Sequence, residues 1–116
     1  MPKLFKCKNN NDIIFNEMQK PKSFFKRNNG LMFKEKLKPN QAMMITGCNC
    51  IHTFFMKFNI DVIYLNKMNE IKKIKKDIRP NRLTLPVIGA WSVIECTSGN
   101  NKIAQLKIGD KLIVYS

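Results

Sequence analysis

The feature that most constrains the fold is the apolar run 51–65, which has three ionisable side chains set into it. Read at the two-residue period of a β-strand, residues 52–57 and residues 60–65 each place bulky apolar side chains on both faces. A strand that is apolar on both faces is covered on both sides. The run therefore predicts two interior β-strands at the centre of the molecule.

Asp61 is the polar exception in the second of these strands. It shares a predicted strand face with Ile63 and Leu65, where a carboxylate loses hydration and needs a cation, backbone donors or a raised pKa. Lys57 and His52 are the nearest ionisable candidates in the sequence. Two interpretations stay open. Asp61 either accepts N–H groups of a turn or a strand end and supports the fold, or it joins its ionisable neighbours in a polar site.

Length and charge set limits on the class of protein. The 116 residues suffice for one domain, 1–116, with a core of its own. The net charge of +13, from 21 basic against 8 acidic residues, favours nucleic acid or another anionic surface as a partner. Only Arg27, Arg79 and Arg82 are arginines, however. Because arginine is the usual reader of bases and phosphates, the composition argues against sequence-specific recognition and leaves diffuse attraction to nucleic acid.

The N-terminal residues give no targeting signal. Residues 1–8 alternate charged and apolar side chains without the apolar segment of a secretion signal, and no apolar run is long enough to cross a bilayer. The sequence therefore predicts a cytoplasmic protein without a transmembrane segment.

Two thiols and an imidazole lie close together at Cys48, Cys50 and His52. On an extended strand these side chains would share a face at a spacing too wide for one small metal ion, so no metal and no cofactor are predicted. The thiol pair also lacks the helix N-terminus that activates redox cysteines, and nothing supplies an oxyanion hole, so no catalytic residue is predicted. Four cysteines, the others being Cys7 and Cys96, do not by their number imply disulfides, and buried small apolar roles are expected.

The leading functional hypothesis is a polar pocket at one end of the fold. His52, Lys57, Asp61 and Trp91 would line it and hold a small polar or anionic ligand or a peptide end. The structural alternatives are that His52 is a hydrogen-bonded residue of the core or its rim, and that Trp91 is simply the largest side chain of the core. The chain would then be a non-enzymatic binding or accessory module. A basic nucleic-acid-associated protein is the second hypothesis, and an unrecognised enzyme is the third.

The rest of the chain predicts short strands joined by turns. Further strands are expected at residues 4–7, 13–15, 42–45, 70–78, 90–96 and 111–115. The lysines of 70–78 would protect an exposed sheet edge. Short helices are expected from Pro21 to Gly30 and from Thr97 to Leu106. The predicted class is α+β and mainly antiparallel β: a curled sheet or partly open small barrel of about seven short strands with two short helices.

Several sequence blocks resemble the family called domain of unknown function 192. They are Gly30-Leu31-Met32-Phe33, Met43-Met44, Ile51-His52-Thr53-Phe54-Phe55-Met56, Ile60-Asp61-Val62 and Gly109-Asp110. The resemblance extends from Leu4 to Val114, with Phe55 where tryptophan is common and Phe58-Asn59 where Asn-Thr is common. It implies a compact, mainly antiparallel β fold, bacterial or archaeal and often exported, with no established reaction. Because the usual export signal is not found, the exported location is not carried over.

Overall fold

The computed structural model describes residues 4–7, 13–19, 38–53 and 56–115. These ranges contain eight β-strands: β1 (Leu4–Cys7), β2 (Ile13–Phe15), β3 (Glu17–Gln19), β4 (Gln41–Thr46), β5 (Ile60–Leu65), β6 (Ile71–Ile78), β7 (Ser92–Thr97) and β8 (Leu112–Tyr115). One sheet has the order β3-β4-β7-β5-β6 and the other the order β2-β1-β8. Every neighbouring pair is antiparallel except β3 with β4, which confirms the prediction of a mainly antiparallel β fold.

The two sheets are joined at a sharp bend. Asn16 alone separates β2 from β3, so the chain passes from one sheet into the other at this residue. Both ends of the five-stranded sheet stay open among the described residues, with β3 at one edge and β6 at the other. The architecture is therefore an open, curled β structure and not a closed barrel. Strand β3 is the one strand that the sequence pattern did not predict.

Strand β5 is an interior strand of the five-stranded sheet, as its sequence predicts, with β7 on one side and the edge strand β6 on the other. All six of its residues are buried. Ile60, Val62 and Tyr64 belong to one hydrophobic core, and Ile63 and Leu65 belong to another. Each fully buried aliphatic side chain of this kind contributes about 1.5 to 3 kcal/mol to folding. The two-residue alternation thus places a core on each face of the sheet.

The two cores have different covers. The first core lies between the two sheets and includes side chains of β2 and β8 as well as β4, β5, β6 and β7. The second core lies on the opposite face, where residues of segments 48–58 and 84–90 pack over β4, β5 and β7. The described residues of this second cover form no strand or helix, so their backbone polar groups need partners of other kinds.

Strand β6 carries the lysine run on a sheet edge. In the part of the chain that the structure describes, β6 pairs with β5 alone and ends the five-stranded sheet. Its lysines are Lys72, Lys73, Lys75 and Lys76. The prediction that this run protects an edge strand is therefore consistent with its position.

The strand predicted at 52–57 is reduced to a single antiparallel bridge between His52 and Leu83. Phe54 and Phe55 lie outside the described residues, and the chain bends at 57–58. The pairing cannot extend along residues 80–86, because this partner segment has a proline at each end and proline donates no ladder hydrogen bond. The prediction of a strand here is wrong for the residues that are described.

The helix predicted from Thr97 to Leu106 is also wrong. Thr97 completes β7, and within residues 97–106 the structure has a single 3-10 turn at Ile103–Gln105. Asn100 explains the difference, since its Oδ1 accepts the backbone N–H of Lys102 at 2.8 Å and so competes with helix formation. The helix predicted from Pro21 to Gly30 lies outside the described residues. Among the residues that are described, no helix is long and apolar enough to cross a membrane.

Candidate functional site

Asp61 supports a bulge between β5 and β6. Ile60 pairs with Ile78 and Val62 with Lys75, so that β6 has one residue more than β5 at this place. Asp77, in the bulge, has a left-handed φ of 59°. The carboxylate of Asp61 accepts its backbone N–H, with a distance of 2.7 Å between nitrogen and Oδ1. This contact matches the structural interpretation of Asp61, a carboxylate that accepts a strand-end N–H.

Replacing Asp61 with alanine is expected to lower the free energy of unfolding by about 1 to 2 kcal/mol. The loss stays moderate because Asp77 is exposed, so water can reach its N–H once the carboxylate is gone. Asp61→Asn keeps an acceptor oxygen and should cost less. Urea denaturation measures both variants. An equal loss in both would show that the negative charge, and not the accepted hydrogen bond, supports the bulge.

Asp77 extends this polar cluster to the surface. Its Oδ1 accepts Asn59 Nδ2 at 2.9 Å and Ser98 Oγ at 2.8 Å. These two hydrogen bonds lower the pKa of the Asp77 carboxyl, and the charge of Arg79 acts in the same direction. The cluster therefore joins the start of β5 to the ends of β6 and β7.

His52 and Lys57 lie on the cover of the second core. His52 is half-buried with its Nδ1 atom enclosed, and Lys57 is exposed at the bend. Asp61 alternates with Ile60 and Val62 of the second core, so its side chain leaves the opposite face of the sheet. The structure thus separates His52 from Asp61 by the thickness of the sheet. Their role in ligand binding stays a prediction.

Trp91 lies at the other end of β5 from Asp61. Its backbone N–H donates to the carbonyl of Leu65 at 2.6 Å, and its carbonyl accepts the N–H of Cys48 at 3.0 Å. The indole ring is 47% exposed, with Lys67 Nζ 4.6 Å from the ring centroid. The alternative that Trp91 is the largest side chain of the core is therefore wrong. This tryptophan is a surface residue that makes a cation–π contact.

Cys48, Cys50 and Cys96 form no disulfide bond. Cys48 and Cys50 are half-buried, and Cys96 is buried. Burial raises the pKa of the Cys96 thiol to about 12, so it stays protonated and unreactive. Within the described ranges, no three histidine, cysteine or acidic side chains are grouped so that they could hold a metal ion.

Glu95 is a buried carboxyl group that the sequence analysis missed. It lies on β7 between Met43 of β4 and Val62 of β5, and its face of the sheet is the one covered by segments 48–58 and 84–90. The side chain is 5% exposed, and burial raises its pKa to about 7. The sequence did hold a signal, because Glu95 alternates with Val93 in a strand that is apolar on both faces, as Asp61 does in β5.

Two threonine hydroxyls hold the cover of the second core together. Thr84 Oγ1 accepts the N–H of Ile51 at 2.9 Å and the hydroxyl of Tyr64 at 3.2 Å, and it donates to the carbonyl of Ile51 at 3.1 Å. Thr53 Oγ1 accepts the N–H of Arg82 at 2.8 Å and donates to the carbonyl of Arg79 at 2.7 Å. These side chains supply the hydrogen bonds that a sheet would otherwise provide.

An open groove of about 440 Å³ lies at the junction of the two sheets. It is lined by residues 13, 14 and 16, by the turn 39–40 and by the loop 97–102. Asparagines bridge its walls, since Asn40 Nδ2 donates to Asn16 Oδ1 at 2.7 Å and Asn100 Nδ2 donates to the carbonyl of Pro39 at 2.7 Å. Lys102 is the one ionisable side chain among the lining residues. We call this feature the asparagine groove.

Comparison with known proteins identifies the family. The family model DUF192, Uncharacterized ACR, matches residues 6–114. A UPF0127 protein of Thermococcus sibiricus is 36% identical over 96 residues, which span 78% of this chain and 60% of that protein. A UPF0127 protein of Pyrococcus horikoshii is 35% identical over 96 residues, which span 78% of this chain and 80% of that protein. This chain thus spans 60% of the length of the Thermococcus protein, which is less than two thirds.

A solved structure shares the fold. The crystal structure of a protein of unknown function from Novosphingobium aromaticivorans matches with a TM-score of 0.77 and 20% identity, covering 97% of this chain and 84% of that one. The resemblance drawn from the sequence blocks is confirmed by the family model and by the archaeal relatives together. The chain belongs to the DUF192 family.

Proposed function

We propose that this protein is a non-enzymatic binding module and that the asparagine groove receives a small polar anion. The observation that supports the proposal is the groove itself. Its volume of about 440 Å³ falls within the range of small-molecule sites. Its walls come from both sheets, so a ligand there would contact elements that the fold already holds in place.

The chemistry of the walls favours an anion. The lining side chains include four asparagines, one serine, one threonine and one lysine, and none of them is acidic. Amide groups both donate and accept hydrogen bonds, and a lysine adds a positive charge that strengthens a hydrogen bond to a carboxylate or a phosphate. Ile13 and Ile14 give the groove an apolar wall. A small molecule with hydroxyl and carboxylate or phosphate groups fits this combination.

The experiment is an NMR titration of the isotope-labelled full chain with citrate and, separately, with inorganic phosphate. We expect amide signals of 97–102 and side-chain amide signals of Asn16 and Asn40 to shift and saturate. Lys102→Ala is expected to weaken the binding about tenfold, because it removes a charge-assisted hydrogen bond. Lys107→Ala removes an exposed lysine that does not line the groove, and it should leave the binding unchanged.

Two results would contradict the groove. The first is that neither citrate nor phosphate shifts these signals. The second is that Lys102→Ala and Lys107→Ala weaken binding equally, which would mean that a diffuse positive charge attracts the anions. A short single-stranded DNA titrated at low salt provides a further comparison. Shifts confined to Lys72, Lys73, Lys75 and Lys76 would favour the nucleic-acid hypothesis over the groove.

The ligand role predicted from the sequence for His52, Lys57, Asp61 and Trp91 is a separate proposal, and the same titrations test it. His52 is the only histidine and Trp91 the only tryptophan of the chain. A ligand beside them therefore changes a single imidazole signal or a single indole signal. Shifts at these two rings without shifts at 97–102 would favour this second location.

A further inference from the structure

Large exposed apolar side chains are concentrated in one loop, residues 83–91. Leu83 is 70% exposed, Leu85 77% and Ile88 95%, and Trp91 at the end of the loop is 47% exposed. An exposure as high as that of Ile88 means that its side chain projects from the surface with almost no neighbour. Exposed apolar clusters of this kind mark contact surfaces. We call residues 83–91 the apolar loop.

Basic side chains flank the apolar loop. Lys67 reaches over the ring of Trp91. Lys72 lies against the tip, since its Cε is 3.4 Å from the position that a Cβ of Gly89 would occupy. Arg82 directly precedes the loop, and no acidic residue occurs in the sequence between Asp77 and Glu95. Three basic side chains therefore flank the projecting apolar side chains.

Hydrogen bonds hold the apolar loop at three points, so that binding a partner requires little further ordering of its backbone. Thr84 binds Ile51 and Tyr64 through its hydroxyl. The N–H of Val87, just before the turn at the tip, donates to the carbonyl of Asn49 at 3.0 Å. The N–H of Trp91 donates to the end of β5. Because the backbone of the loop is already ordered, inserting its apolar side chains into a partner costs less entropy.

We propose that the apolar loop docks this protein on the surface of an anionic lipid bilayer. Ile88 and Leu85 would enter the boundary between headgroups and acyl chains, Trp91 would lie at headgroup level, and Lys67 and Lys72 would contact anionic headgroups. Because Lys67 and Lys72 are positively charged, the apolar loop is expected to prefer anionic lipids to neutral ones. Separate, projecting side chains favour a fluid bilayer, because a protein partner would need a matching hollow for each. This inference is independent of the asparagine groove.

Trp91 reports directly on this docking. Because Trp91 is the only tryptophan of the chain, its fluorescence is measured while the 116-residue chain is titrated with vesicles of phosphatidylcholine and phosphatidylglycerol. We expect a blue shift of the emission and quenching by lipids with brominated acyl chains. Vesicles of phosphatidylcholine alone should bind at least about tenfold more weakly, because each basic residue near an anionic surface adds to the attraction.

Matched variants distinguish binding through the apolar loop from nonspecific binding through other exposed apolar side chains. Ile88→Ser is expected to weaken binding to the anionic vesicles about tenfold, the effect of withdrawing one large apolar side chain from the bilayer boundary. Ile108→Ser replaces another isoleucine, 69% exposed on a different turn, and should change nothing. Both positions project into solvent, so circular dichroism should show an unchanged fold.

The proposal is overturned if Trp91 emission does not change with anionic vesicles, which would leave a protein as the occupant of the loop. It is also overturned if Ile108→Ser reduces binding as much as Ile88→Ser does. Equal binding to the neutral and the anionic vesicles would contradict the role of the lysines.

Discussion

Replacing Thr84 with valine is expected to lower the free energy of unfolding by about 2 to 6 kcal/mol. Valine has the shape of threonine but no hydroxyl, so the buried N–H of Ile51 and the buried hydroxyl of Tyr64 both lose their acceptor. Each unsatisfied buried group costs about 1 to 3 kcal/mol. Urea denaturation of the full chain measures the difference, with the slope of the transition as a check for two-state unfolding.

Two further variants make this prediction specific. Thr84→Ser keeps the hydroxyl and should recover most of the lost stability. Tyr64→Phe removes one of the two groups that lose their acceptor, so the double variant Thr84→Val with Tyr64→Phe should cost less than the sum of the single changes. A loss below about 0.5 kcal/mol for Thr84→Val, the usual effect of a neutral substitution, would contradict a role of this hydroxyl in holding the cover.

The pH dependence of stability provides the second large effect, and Glu95 is its source. Burial raises the pKa of this carboxyl group from 4.5 to about 7. Below about pH 4.5 the group is protonated in both the folded and the unfolded chain. As the pH rises from there to about 7, the unfolded chain releases the proton while the folded protein keeps it. The free energy of unfolding therefore falls through this window, by about 3 kcal/mol in total.

Glu95→Gln is expected to remove this dependence, since glutamine has the same shape and does not titrate. The variant should be more stable than the natural sequence by about 3 kcal/mol at about pH 8.5 and nearly equal to it at about pH 4. Glu17→Gln makes the same substitution at an exposed position of β3 and controls for the loss of one negative charge. If the free energy of unfolding of Glu95→Gln changed with pH in the same way as that of the natural sequence, the pH dependence could not be assigned to Glu95.

Asp77 acts in a different pH range. Its pKa is lowered by the hydrogen bonds from Asn59 and Ser98. The stability that this carboxylate contributes is present above its ordinary pKa and is lost as the pH falls through the lowered value. The two acidic groups can therefore be told apart in one profile, because the decline due to Glu95 occurs on raising the pH and the decline due to Asp77 on lowering it.

Local periodicity was sufficient to predict most of the strands. The alternation of apolar residues in β5 identified an interior strand and both of its covered faces. The apolar face around Asp61 identified a carboxylate that needs a cation, backbone donors or a raised pKa, and the structure supplies a backbone donor, the N–H of Asp77. These features depend on residues that are close to one another in the sequence, so they can be predicted from one sequence alone.

The features that depend on distant segments could not be predicted. The asparagine groove brings Asn16 together with Asn40 and Asn100, and nothing local relates these positions. The expected strand at 52–57 failed for the same reason, because its partner near Leu83 lies in a loop framed by prolines. Glu95 is different, since its alternation with Val93 was available in the sequence and the argument used for Asp61 would have identified it.

The lysines of β6 bear on how copies of this protein behave at high concentration. Backbone N–H and C=O groups along an open sheet edge can recruit an identical strand and start fibril growth. Two β6 edges in contact would oppose four ammonium groups of one copy with four of the other, a repulsion that discourages self-association. Burial and the neighbouring Lys73 lower the pKa of Lys75, so this ammonium group loses its proton, and with it its share of the repulsion, at a lower pH than an ordinary lysine side chain would.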